Sequence, residues 1–393
     1  MEKIVAFHEL NYKKRVQTLV EVPGVVTLMG AFSDFCEGYC LAGTGALGLR
    51  VAMSWRDDTT VRVYDATRSD KKHFTVTSLK YRKEDRWANY VKGVFSILEG
   101  EGVHFTQGFD ITLKGALLYC DQITVCESVL MGTLMALSDI MHLGLTRKDF
   151  IRLAWRIATE YCNISIRLRD LITVSYAQTG KLFFFDLQSS DYELVDYPFA
   201  KADGAPVYGI IVDPSLPPQI LRDEIEEKRI DARLCCKELK KHLPEDVTLR
   251  NYPVHDLKSH IIRDLDEHVR HTCEYVISET QYVKKGLQAI KSADPRLFGK
   301  CLNSIYIGMR DVFEVTCPEV DWLIRRAGEL NDVYGASYVS NGDSGSIFMM
   351  LGANGEEAFS RCMDDYRRIF DFTVKRRFFN PGGCAHIVEN LES

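Results

Sequence analysis

Residues 127–144 read ESVLMGTLMALSDIMHLG, and apolar side chains fall on nearly every face of the helix this stretch predicts. A helix with no polar face has to be covered all round, so it belongs at the centre of a fold. Strands are available to cover it. VRVYDA (61–66) and KKHFTVTSL (71–79) alternate with period two, GFDITLKGALL (108–118) returns to strand, and KLFFFDLQSS (181–190) is a further one. Between them, RWANYVKGVFSILEGEG (86–102) places Tyr90, Val94 and Ile97 on one helical stripe and stops at Gly100 and Gly102.

At 393 residues the chain exceeds one ordinary core. The turn-rich YPFAKADGAP (197–206) marks the expected boundary, giving domains 1–198 and 199–393. Beyond it, VYGIIVD (207–213) reads as a buried strand. A charged helical block follows over 220–285, where EIEEKRIDARLCCKELKKHL carries opposite charges at i,i+4. GASYVSNGDSGSIFMMLG (335–352) reads as strand–turn–strand, followed by a helix and a last strand near 372–379.

The 49 basic and 55 acidic residues give a net charge of −6 with no sustained basic run, which argues against nucleic-acid binding. The strongest basic cluster, VKRRFF (374–379), alternates like a strand on a solvated sheet face. No window approaches 18 consecutive apolar residues, and MEKIVAFHEL lacks the apolar core of a signal peptide. Twelve dispersed cysteines show no paired CxxC knuckles, and the histidines do not fall at metal-ligand spacing. The expectation is a cytoplasmic protein with reduced thiols, Cys36 and Cys40 among the buried ones. No exposed heptad or apolar patch is readable, so oligomeric state and protein partner stay open.

Five stretches together resemble one family. VPGVVTLMGAFSDF (22–35) resembles the signature that opens galactokinases, members of the GHMP small-molecule kinases. RWANYVKGV (86–94) is similar to the segment lining the adenine side of that family's ATP pocket. LRDLITVSYAQTGKLFFFDLQS (168–189) looks like the stretch holding its catalytic aspartate. LFGKCLNSIYIGMRDVFEVTCPEVDWL (297–323) matches its C-terminal domain, and 335–351 its last glycine-rich motif. The matches run in family order. The resemblance implies a two-domain α+β GHMP kinase fold, with a ribosomal protein S5 domain 2-like N-terminal domain, a ferredoxin-like C-terminal domain and a cleft between them.

By this resemblance Asp170 is the catalytic carboxylate, Asp34 binds sugar hydroxyls, and Trp87, Asn89 and Tyr90 line the adenine side. The working parts depart from the pattern. Where the family has a glycine-rich phosphate loop like GAGLSSSAAL, this chain has CDQITVCESV (120–129) without one glycine. Ile123 and Val125 resist the positive φ such a loop often needs. The serine that holds Mg²⁺ falls on Cys126, a poor ligand for a hard cation. Asp121 and Glu127 bring carboxylates toward the phosphate position, where two unit charges about 4 Å apart repel by about 4 kcal/mol at an effective dielectric near 20. The blander reading of Glu127 is a first-turn acid satisfying helix N–H groups.

On the sugar side, an expected positive partner falls on Val25, a Glu-His pair on Ala31 and Phe32, and a tyrosine near Ile225. These polar-to-apolar exchanges suggest a site repacked as core. Arg167 and Arg169 flank Asp170, and either could replace the missing cation. In a strand or extended loop both would point away from the face Asp170 uses. An Arg–Asp structural pair is the reading favoured over a replacement cation. The Mg²⁺-binding glutamate has Ala158 at its place, with Glu160 two residues away. The last motif becomes SNGDSGS, keeping Gly342 and Gly345 and adding Asp343, which reads as a hairpin tip. The favoured expectation is a degenerate galactokinase homologue with a binding, regulatory or structural role and no cofactor. The alternative is a working ATP-dependent galactokinase acting at the sugar's C1 hydroxyl, which would need ATP and Mg²⁺. A new activity in the repacked cleft is a third reading, and a small-molecule sugar is the partner either kinase-like reading implies.

Overall fold

The computed structural model describes residues 2–115, 122–200, 206–217, 221–239, 241, 249–253, 264–339 and 345–389. They divide into two units. The first comprises Met1–Val25, Thr44–Ala177 and Gly383–Ser393; the second comprises Val26–Gly43 and Gln178–Gly382. The turn-rich stretch 197–206 lies within the second unit, and its residues 201–205 are outside the described ones.

In the first unit, α1 (Glu2–Tyr12) precedes the strands β1 (Thr18–Met29), β2 (Tyr39–Trp55), β3 (Thr60–Asp65) and β4 (Asp70–Thr75), with residues 26–29 of β1 and 39–43 of β2 belonging to the second unit. The helix α2 (Ala88–Gly100), the strand β5 (Phe109–Gly115) and three helices follow: α3 (Gln122–Ile140), α4 (Arg147–Arg156) and α5 (Leu168–Tyr176). The short strand His386–Ile387 pairs with β1, giving the order (386–387)-β1-β2-β5-β3-β4. β5 runs antiparallel to β2 (Leu49 opposite Gly115) and parallel to β3 (Val63 opposite Ile111). As its all-round apolar sequence requires, α3 is buried continuously from Cys126 to Leu137. The buried stripe of α2 is Val91, Val94, Phe95 and Leu98, whereas Tyr90 and Ile97 are only half-buried. The expected stripe was rotated because Lys92 and Gly93 also turn inward, which a polarity pattern does not disclose.

His8 fastens α1 to this sheet. Its Nδ1 lies 3.0 Å from Thr112 Oγ1 and its Nε2 2.9 Å from Ser54 Oγ, with no exposed surface. Burial pulls its pKa down to about 4 from 6.5, against the opposing pull of Asp110. Between these two values the unfolded chain binds a proton that the folded one does not. Stability attributable to His8 is therefore intact above pH 6.5 and falls as pH drops toward 4. The loss is at most roughly 3 kcal/mol. Acid titration of unfolding free energy should be visibly flatter over that window in His8→Gln; an unchanged slope counts against the assignment.

The second unit carries β6 (Lys181–Asp186) and β7 (Asp191–Asp196), an antiparallel hairpin that pairs with β2 through Tyr39–Ala42. Its own sheet has β8 (Val207–Asp213), β9 (Val333–Tyr338), β10 (Ile347–Gly352) and β11 (Lys375–Phe378), all antiparallel, in the order β11-β8-β10-β9. β11, holding the basic VKRRFF cluster, is the solvated edge expected of it. The helices are α6 (Arg222–Leu239), α7 (Glu267–Lys291), α8 (Pro295–Gly308), α9 (Pro318–Gly328) and α10 (Gly355–Phe370). Mixed α and β elements in two units accord with the expected α+β class. Gly30 ends β1 with φ +80°, where a Cβ would lie 2.2 Å from the Tyr39 carbonyl oxygen, so only glycine fits there.

One expectation about the thiols is corrected. Cys36 and Cys40 are buried, but Cys235 of α6 and Cys273 of α7 form a disulfide. The 38-residue separation hides this pair in the sequence; the facing sides of two helices bring it together. No helix among the described residues is long and apolar enough to cross a membrane.

Candidate active site

Asp170 stands in the first turn of α5, whose N-cap is Arg167 in extended geometry (φ −99°, ψ 121°). Helical spacing brings residues i and i+3 to one side. Arg167 Nε accordingly lies 3.1 Å from Asp170 Oδ2, and Arg169 Nε lies 3.7 Å from Oδ1. This corrects the extended reading in which both arginines pointed away; the Arg–Asp pair itself is formed. Asp170 is 2% exposed and Arg169 4%. Glu127, fully buried on α3, accepts the backbone N–H of Arg167 at 3.2 Å. Two carboxylates and two guanidiniums thus gather in one buried cluster.

Glu127 is the sixth residue of α3, and no acid occupies that helix's first turn, so the first-turn role expected of it is corrected. The helix begins at Gln122, so Ile123 and Val125 lie in α-helical backbone, the conformation open to β-branched residues. Cys120 and Asp121 lie outside the described residues, as do Gly342 and Asp343 of the last motif. Gly345 does adopt φ +69° in the segment joining β9 and β10.

The residues that would hold Mg²⁺ do not fit it. Cys126 is buried, and burial raises its thiol pKa well above the ordinary value, leaving a soft neutral group where a hard cation needs oxygen. Glu160 lies in a π-helical turn (Ile157–Tyr161), half in solvent, and Arg156 grips both its oxygens at 2.8 and 3.0 Å. That hydrogen bonding lowers its pKa. Among the described residues no group of three His, Cys, Asp or Glu is placed to hold a metal ion.

Of the three adenine-side residues, two have structural duties. The Asn89 side chain, 1% exposed, donates to the carbonyls of Arg82 (2.7 Å) and Arg86 (3.1 Å). It thereby holds a turn in which Arg86 takes the unusual φ +49°, ψ −123°. Trp87 Nε1 donates to Asp70 Oδ2 at 2.8 Å, tying the start of α2 to β4. Tyr90 is half-buried.

On the sugar side, Asp34 sits in a 3-10 turn (Ser33–Cys36), 3.8 Å from Arg229 Nη1 of α6. The Arg229 guanidinium also lies over the Phe35 ring at 4.9 Å. Sequence reading missed Arg229 because nothing in a charged helix says which basic residue turns inward. Phe32, 2% exposed, packs against Phe313 (4.8 Å between centroids), Phe35 (5.7 Å) and Tyr275 (6.1 Å). Ile225 and Val25 are also buried, and Ala31 is half-buried. Beside Gly30, Ala31 and Phe32 the second unit encloses a cavity of only about 10 Å³. Buried Glu279 lines it, accepting from Tyr275 Oη at 3.2 Å. Such a space admits about one water.

No protein-family model matches the chain. The fold has well-covered counterparts: Lactococcus lactis galactokinase complexed with galactose (TM-score 0.87, 18% identity, 98% of this chain and 99% of that one) and Methanococcus jannaschii mevalonate kinase (TM-score 0.68, 12% identity, 92% and 98%). This is the fold of the GHMP small-molecule kinases. In sequence, a galactokinase of Clostridium perfringens (strain SM101) is 25% identical over 351 residues, 89% of each chain. That match and the ordered motifs make this chain a homologue of galactokinases.

Proposed function

We propose that this chain is a galactokinase-family protein without efficient phosphoryl transfer, its fold kept for a binding, regulatory or structural role. The observation that carries the proposal is Asp170: at 2% exposure, with guanidinium groups beside both its oxygens, it is occupied as an ion-pair partner. A base that accepts a proton from a sugar hydroxyl has to come within hydrogen-bond reach of it. Phe32 in an aromatic core, the single-water cavity beside it and the misfit of Cys126 and Glu160 to Mg²⁺ support the same reading.

Thermal unfolding in millimolar Mg-ATP is expected to match unfolding without it. A ligand at 100 times its Kd would stabilise by about 2.7 kcal/mol, so a rise of several degrees would sink the proposal.

A second reading has one observation in its favour. Arg167 Nε, 3.1 Å from Asp170, supplies a cation beside the base in place of the one lost at Val25. Under it the protein is a working ATP-dependent galactokinase, with galactose, present in the Lactococcus lactis structure, as the first substrate to try. A coupled assay for ADP release decides: galactose-dependent turnover lost in Asp170→Ala establishes the kinase, and none establishes the degenerate member.

A further inference from the structure

The helix α6 has two faces of different character. Its inner stripe, Ile225, Ala232, Cys235 and Leu239, is buried, and the Cys235–Cys273 disulfide fastens it to α7. The opposite stripe is exposed and follows a strict four-three spacing: Asp223, Glu227, Ile230, Leu234 and Lys237, then Lys241 just past the helix end, whose Nζ lies 2.6 Å from Glu238 Oε2. Ile230 is 56% exposed and Leu234 42%, adjacent on one ridge. Read along the helix, this stripe is acidic, then apolar, then basic. Turned end for end, it complements itself. With the axis through the Ile230–Leu234 midpoint, Ile230 meets Leu234, Glu227 meets Lys237 and Asp223 meets Lys241. A parallel pairing would instead set acid on acid and base on base.

We infer that this face is a two-fold seam through which two copies of the chain associate with their α6 helices antiparallel. The four-three spacing is that of a coiled-coil seam, and a self-complementary stripe is what an isologous contact requires. Arg233 approaches its own symmetry mate at the rim, where a long exposed side chain turns into water at little cost. A contact between two five-turn helices buries less than the roughly 1,200 Å² of a stable interface, so the dimer is concentration-dependent. This inference is independent of whether the chain transfers phosphate.

Sedimentation velocity of the full chain from low to high micromolar concentration tests it. The sedimentation coefficient should rise toward that of a dimer, and less so in high salt. Glu227→Lys and Lys237→Glu each create two like-charge contacts per dimer and should weaken association by about tenfold. Combined in one chain they swap the pair and should restore it. Leu234→Lys should abolish the rise, with circular dichroism confirming an unchanged fold. A chain that stays monomeric throughout overturns the inference, as does association that neither single reversal weakens.

Discussion

Phe32→Ala should lower the stability of the second unit by about 3–5 kcal/mol, the usual range for emptying a buried aromatic site. The ring has 2% exposure and three aromatic neighbours, and Phe313 and Tyr275 stack on each other 4.4 Å apart behind it. Truncation removes dispersion contacts to all three and leaves a void that a rigid aromatic cluster closes poorly. Phe32→His, the step back toward a hydroxyl-binding residue, should also destabilise, because an imidazole there needs partners that apolar surroundings do not supply. Urea titration reads both. An unchanged midpoint in Phe32→Ala would mean that the ring is not part of the core, and the repacking argument would fail with it.

The burial of Phe32 was legible in the sequence because an apolar residue stood where a polar one was expected, and that of Ile225 likewise. The same holds for α3, whose all-round hydrophobicity dictated burial. What escaped the sequence were features set by where a helix begins. Arg167 is an N-cap without a side-chain capping bond, so no Ser, Thr, Asp or Asn announced the start of α5. Read as extended chain, the arginines diverge from Asp170; read as helix, they converge on it. The start of α3 had the same effect on Glu127, which sits a turn deeper than expected and accepts the backbone N–H of Arg167. The α6 seam was hidden differently. Only two of its six residues are apolar, and its pattern emerges once burial separates the outer stripe from Ile225, Cys235 and Leu239.

Asp170 offers the sharpest separation of the two readings, because each predicts a different quantity to change. If the carboxylate serves the fold, Asp170→Ala takes an ion-pair partner from two arginines, one of them 4% exposed, and should cost about 3–5 kcal/mol. Removing one side of a buried ion pair is far worse than removing both. The triple variant Arg167→Leu/Arg169→Leu/Asp170→Leu should therefore recover much of the loss. Asp170→Asn, which keeps the shape but not the charge, should fall between. If the carboxylate serves catalysis instead, Asp170→Ala should abolish galactose-dependent ADP release while the unfolding midpoint stays where it was, and the triple variant should gain nothing. Denaturant midpoints for the three variants, measured beside the ADP assay, distinguish these outcomes. A stable Asp170→Ala protein would remove the observation on which the degenerate reading rests.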